Sequence, residues 1–166
     1  NPRAMVMVTW AAFSCVATVE AVVVLLFWVF NYDDYDGIKF EYFDLMEHGV
    51  VAILVIVDGL ILGKVPIRAK HVCIPITFAF LFSTWLALDY YSGWRKNSYT
   101  PLYSAIDWQK EPLQAGARSF LFVFFVTPLL FLLCWSMSFL RRLLEDFAKD
   151  DVSSSTLNDI KGNTAK

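Results

Sequence analysis

Four stretches of this chain are almost pure hydrocarbon, and each is long enough to cross a bilayer. They lie at about 4–30, 42–62, 72–91 and 119–140. At 1.5 Å of rise per residue, about 20 residues cover a hydrocarbon core of about 30 Å. No water is present at that depth, so a spanning segment must satisfy its backbone internally, as a helix does. None of the four alternates strictly, which argues against a transmembrane β-barrel. The expected fold is therefore an all-α, polytopic transmembrane helical bundle of four spans over 1–144. A disordered cytosolic tail is expected over 145–166, where the composition turns polar. Pro75 falls in the first turn of the third span, where proline is tolerated. Pro128 falls inside the fourth and predicts a kink.

Composition agrees with this reading. Of 166 residues, 57% are hydrophobic and 18% charged, against roughly 25% charged in soluble domains. Net charge is −2, with no long basic run, so nothing points to nucleic acid. The cysteines Cys15, Cys73 and Cys134 each lie within or at the edge of an apolar stretch. Their spacing fits no metal motif, and they read as small buried hydrophobes. No internal repeat of the transporter kind is present. No metal site and no cofactor is implied.

The links suggest an orientation. The second carries Lys64, Arg68 and Lys70 without an acid, Arg141 and Arg142 follow span four, and Arg3 precedes span one. The first link carries Asp33, Asp34, Asp36, Glu41 and Asp44 against Lys39 alone. The positive-inside rule then places both termini in the cytosol. The third link holds Arg95, Lys96, Lys110 and Arg118 and counts against this, although long links follow the rule less strictly. An aromatic belt of Trp28, Tyr32, Tyr42, Phe43, Tyr90, Tyr91 and Trp94 falls on the non-cytosolic side.

Ionisable groups at membrane depth are costly and so mark sites or partners. Three occur here: Glu20, His48 and Asp58. His48 lies about 9 Å below the non-cytosolic surface, and Asp58 about 15 Å deeper on the same helix, too far apart to touch. Glu20 and His48 differ in depth by only about 6 Å, so their side chains can meet if the helices face each other. A Glu20–His48 pair is the expected arrangement, offsetting two desolvation costs and orienting the imidazole. Two readings stay open. In one, His48 is a general acid or base positioned by Glu20. In the other, all three groups make interhelical hydrogen bonds that fix packing. Asp58 is read as structural, and His71 as an ordinary interfacial residue. Thr9, Ser14, Thr18, Ser83 and Thr84 are the available hydroxyls. Buried Ser and Thr usually bond their own helix carbonyls.

Several motifs together resemble a known family. His48-Gly49 followed by Asp58, the run Pro66-Ile-Arg68-Ala-Lys-His71-Val-Cys-Ile-Pro75 and the run Tyr103-Ser-Ala-Ile-Asp107-Trp108 occur in the order and spacing of Rolling stone-like membrane proteins. Ser104 stands where that family has proline. The resemblance covers about Val16 to Leu140 and includes Phe27-Trp28. Rolling stone-like proteins share a superfamily with the androgen-induced membrane proteins, which include threonine-type hydrolases of fatty-acid esters of hydroxy fatty acids. The resemblance implies six spans in the intact protein, a lipid-ester substrate and the catalytic base on His48. It also implies a threonine nucleophile on an earlier span, for which this chain has no match, so Asn1 is expected to begin a fragment. The resemblance equally fits an inactive relative.

The expected function is thus a multi-pass integral membrane protein of the endoplasmic reticulum or plasma membrane. It is expected to be a lipid-ester hydrolase or an inactive relative of one. The alternative is a non-catalytic membrane interaction or cell-fusion-type protein. A proton or ion pathway through Glu20, His48 and Asp58 is the least favoured reading, because those groups are spread widely along the bundle axis.

Overall fold

The computed structural model describes residues 2–31, 45–62, 65–93 and 101–164, and every regular element among them is helical. α1 spans Pro2–Leu26 and closes in a wide π-type turn, Phe27–Asn31. The second stretch holds a π-turn at Met46–Val50, α2 at Val51–Val55 and a second π-turn at Ile56–Leu62. A short extended link leads into a 3-10 turn, Ala69–Val72, and then α3, Cys73–Tyr91. Another 3-10 turn, Ser104–Ile106, precedes α4, Pro112–Leu121. A π-turn at Phe122–Val126 joins α4 to α5, Thr127–Thr164.

Three of these runs are long and apolar enough to cross a membrane: Pro2–Val29, Ala69–Tyr91 and Pro112–Lys149. The second stretch contributes a shorter apolar helix, His48–Gly59. Their outer faces are apolar: α3 exposes Phe78, Phe80, Leu81 and Trp85. In lipid such a face needs no cover, because the tails are as apolar as the side chains. The acids of the first link, Lys64, and Trp94 to Lys96 lie outside the described residues.

Two buried clusters fix the packing. At one end Leu26, Ala105, Ile106, Ala115 and Phe122 come together. At the other, Ile67, Phe131 and Cys134 pack with Phe13 and Ile56. α1 runs from the second cluster to the first. The second stretch runs back alongside it, with His48 stacked on Phe27 and Gly59 against Phe13. A side chain at Gly59 would run into the Phe13 ring, so the helices approach closely there only because position 59 has none.

Proline and tail behave in ways the sequence reading did not foresee. The helix meets Pro128 with the π-turn just before it, and the Thr127 hydroxyl donates to the Phe122 carbonyl at 2.8 Å. That carbonyl already accepts the Thr127 backbone N–H across the wider turn, so the hydroxyl adds a second bond to it. The segment expected to be a disordered tail from Glu145 continues as helix through Thr164. Pairs spaced three and four residues apart, Arg141–Glu145 at 3.6 Å and Asp146–Lys149 at 3.9 Å, fall where a helix brings opposite charges together. The cysteines also differ from expectation: only Cys134 is buried, Cys15 is half-buried and Cys73 is exposed. Cys73 lies at the first position of α3, a helix that keeps most of its surface outward.

Gly59→Ala should therefore destabilise the bundle by about 1–3 kcal/mol through overpacking. Adding Phe13→Leu to that variant should recover much of the loss. Unfolding in detergent would read both, and wild-type stability for Gly59→Ala would show that the second stretch does not lean on Phe13.

Candidate functional site

His48 sits in the Met46–Val50 π-turn, opposite the Phe27–Asn31 π-turn that ends α1. π-turns are uncommon and recur at functional positions. The imidazole lies flat on the Phe27 ring, with centroids 4.1 Å apart and planes 21° from parallel. The Trp28 indole N–H donates to the His48 backbone carbonyl at 2.9 Å. Both side chain and main chain of His48 are thus held by consecutive aromatic residues of the neighbouring helix. The His48 Nδ1 atom is buried, and among the described residues it has no hydrogen-bond partner. A buried polar atom without a partner costs about 1–3 kcal/mol. Such an atom calls for a ligand, a water or a functional role.

The expected partner is elsewhere. Among the described residues no hydrogen bond or ion pair joins Glu20 to His48. The Glu20 carboxylate instead acts on Tyr103 of the third link, whose phenol is pushed above its ordinary range first by burial and then by that charge. Asp58 is exposed on an otherwise apolar surface beside Val57, Ile61 and Leu62. Glu20, His48 and Asp58 do not form a connected polar chain among the described residues.

The Tyr103 to Trp108 segment is a built structure rather than a loose loop. Ala105 and Ile106 are buried against Leu26 and Phe122. The Asp107 carboxylate accepts the backbone N–H groups of Gln109 at 2.9 Å and Lys110 at 3.1 Å, closing the turn into α4. Arg118 donates to the Ala105 carbonyl at 2.9 Å and to the Gln114 side chain at 2.7 Å. The aspartate of the Tyr-to-Trp motif thus works as a turn former. The Trp108 Nε1 and Ser119 Oγ atoms beside it are buried and without partners among the described residues.

One pairing was not anticipated. His71, expected at the interface, is buried, and its Nδ1 lies 3.0 Å from the Ser14 Oγ of α1. Ser14 also donates to the Trp10 carbonyl at 2.7 Å, and Thr18 donates to the Ser14 carbonyl at 2.8 Å. With its own proton given to Trp10, the Ser14 oxygen is left to accept from His71, which then carries its proton on Nδ1. Ser14 is fully buried, and its hydroxyl is spent on the backbone. The contact therefore pins α1 to the start of α3 and does not prepare a nucleophile. Thr9 and Thr84 likewise bond their own helices, at 3.0 and 2.8 Å. Neither depth nor periodicity marks the Ser14–His71 pairing in the sequence, because the 65–72 link brings the two residues together.

Ser14→Ala should cost about 1–3 kcal/mol by stranding the His71 N–H, whereas Thr9→Ala, at an exposed position, should be nearly neutral. Unfolding of the two variants in detergent checks this, and equal losses would count against the pin. For Tyr103, the unfolded phenol ionises first as pH rises. Its contribution to stability is present below the ordinary tyrosine range and is lost on passing up through the raised folded value. Glu20→Gln should bring the Tyr103 titration part of the way back, burial accounting for the rest. An unchanged ultraviolet titration would exclude the Glu20 contribution. Compared with known proteins, the chain matches no protein-family model, no curated protein and no solved structure.

Proposed function

We propose that this chain is a multi-pass membrane protein of the Rolling stone-like type, with Leu45–Leu62 as a fourth span, in which His48 acts as a general base toward a lipid ester. The observation that carries the reading is the buried Nδ1, without a partner among the described residues, of a histidine whose ring and main chain are both held in place. A base needs a free lone pair and a fixed position. The order of the His48–Asp58, Pro66–Pro75 and Tyr103–Trp108 motifs supports the same reading.

In that chemistry a hydroxyl nucleophile attacks the ester carbonyl while His48 takes its proton. The tetrahedral intermediate collapses with cleavage of the bond to the alkoxy oxygen, and the imidazolium returns the proton to the departing alcohol. Water, deprotonated by the same imidazole, then releases the acid. No hydroxyl among the described residues is bonded to His48, so the nucleophile is assigned to the threonine-bearing span that the resemblance implies. Glu20 does not serve as the orienting group in this scheme; Phe27 and Trp28 do.

A second reading has its own support. The Asp107 turn and the Arg118 bonds give the third link a fixed shape, which suits a protein that presents a surface to partners without catalysis.

The deciding experiment uses the full-length product in membranes, with a fatty-acid ester of a hydroxy fatty acid as substrate. His48→Ala should lower hydrolysis by about 100-fold or more while leaving membrane insertion intact. Hydrolysis within a few-fold of the unmodified protein would remove His48 as the base. Absence of hydrolysis in the unmodified protein would favour the second reading.

A further inference from the structure

At the end of the bundle away from His48, the 65–72 link crosses α1 and leaves a groove of about 310 Å³. It is lined by the apolar Met7, Val8 and Ala11 and by the basic Arg68 and Lys70, with the buried His71 behind them. An adjoining groove shares Trp10 and Arg68 and adds Arg3. Among the described residues no acidic side chain lines either one. The Arg68 guanidinium lies over the Trp10 ring, 4.7 Å from its centroid. Stacking of that kind fixes the plane of the group and leaves its N–H edge free for an oxyanion. Lys70 is exposed, and neither it nor Arg68 forms an ion pair among the described residues. The groove also opens at the start of the α3 helix, whose dipole adds positive potential.

We propose that this groove binds the phosphate of an anionic lipid headgroup, held by Arg68 and Lys70, with the acyl region against Met7, Val8 and Ala11. The shared chemistry is a phosphate group. The exposed apolar side chains that line the same groove as the cations are what assign it to a lipid rather than to free phosphate. The Ser14–His71 bond acts as a positioning contact, since it holds the turn from which Arg68 and Lys70 project. The site stands apart from His48, and its failure would leave the hydrolase reading untouched.

The test uses the full-length product in neutral detergent, with retained lipid measured by native mass spectrometry. Phosphatidylglycerol should be retained and phosphatidylcholine should not. The double variant Arg68→Gln, Lys70→Gln should weaken retention by about tenfold or more. Lys70→Gln alone, at an exposed position that poses no folding risk, should weaken it by a smaller factor. Lys110→Gln, at the other end of the bundle, should leave it unchanged. Retention in the double variant equal to that of the unmodified protein would overturn the proposal. Equal retention of phosphatidylcholine would overturn it too. Displacement by inorganic phosphate at matched concentration would transfer the site from lipid to free phosphate and overturn the lipid assignment.

Discussion

Ile67 is completely buried in the middle of a link, and one end of the bundle depends on that. Its backbone N–H donates to the Ser138 Oγ of α5 at 3.2 Å, and its side chain packs with Phe131 and Cys134. A link normally stays at the surface, because its backbone polar groups need partners. Here a serine supplies the partner, and the link folds inward. With Ile67 inside, Arg68 emerges beside Trp10 and His71 is delivered to Ser14. The Ser138 carbonyl in turn accepts from Arg142 at 3.2 Å. One buried isoleucine thus sets the positions of α1, α3 and α5 relative to one another and gathers basic side chains at a common level.

A different solution holds the opposite end. There the contacts are mostly aromatic and aliphatic: Phe27 on His48, Leu26 and Phe122 on Ala105 and Ile106. Polar bonds are used mainly to close turns, as Asp107 does for the entry to α4. Both ends obey the same rule. Polar groups at both ends find partners at short range, and the few that have none among the described residues, such as His48 Nδ1, become conspicuous.

Helical class and the apolar character of the long segments were legible from length and hydropathy alone. Those properties follow from the energy of backbone groups in hydrocarbon and need no tertiary detail. Depth arithmetic set His48 level with α1 near Glu20, and the structure stacks it on Phe27. The same arithmetic could not give azimuth. It offered Glu20 as a neighbour in depth, but among the described residues no hydrogen bond or ion pair joins Glu20 to His48, and the charge of Glu20 is felt instead at Tyr103. Azimuth also hid the Ser14–His71 contact, because link geometry and not helix depth brings those residues together. The π-turns were illegible for a similar reason: no periodic pattern in the sequence marks them.

Gly59 and His48 are eleven residues apart, roughly 16 Å along a helix. Both touch α1, one through Phe13 and the other through Phe27 and Trp28. A segment clamped to the same neighbour at two separated points behaves like a beam on two supports. It can neither roll nor slide without disturbing both contacts. A change of volume at Phe13 would therefore be transmitted mechanically to the imidazole at the far end. The environment of His48 is set in part by a residue that never comes near it.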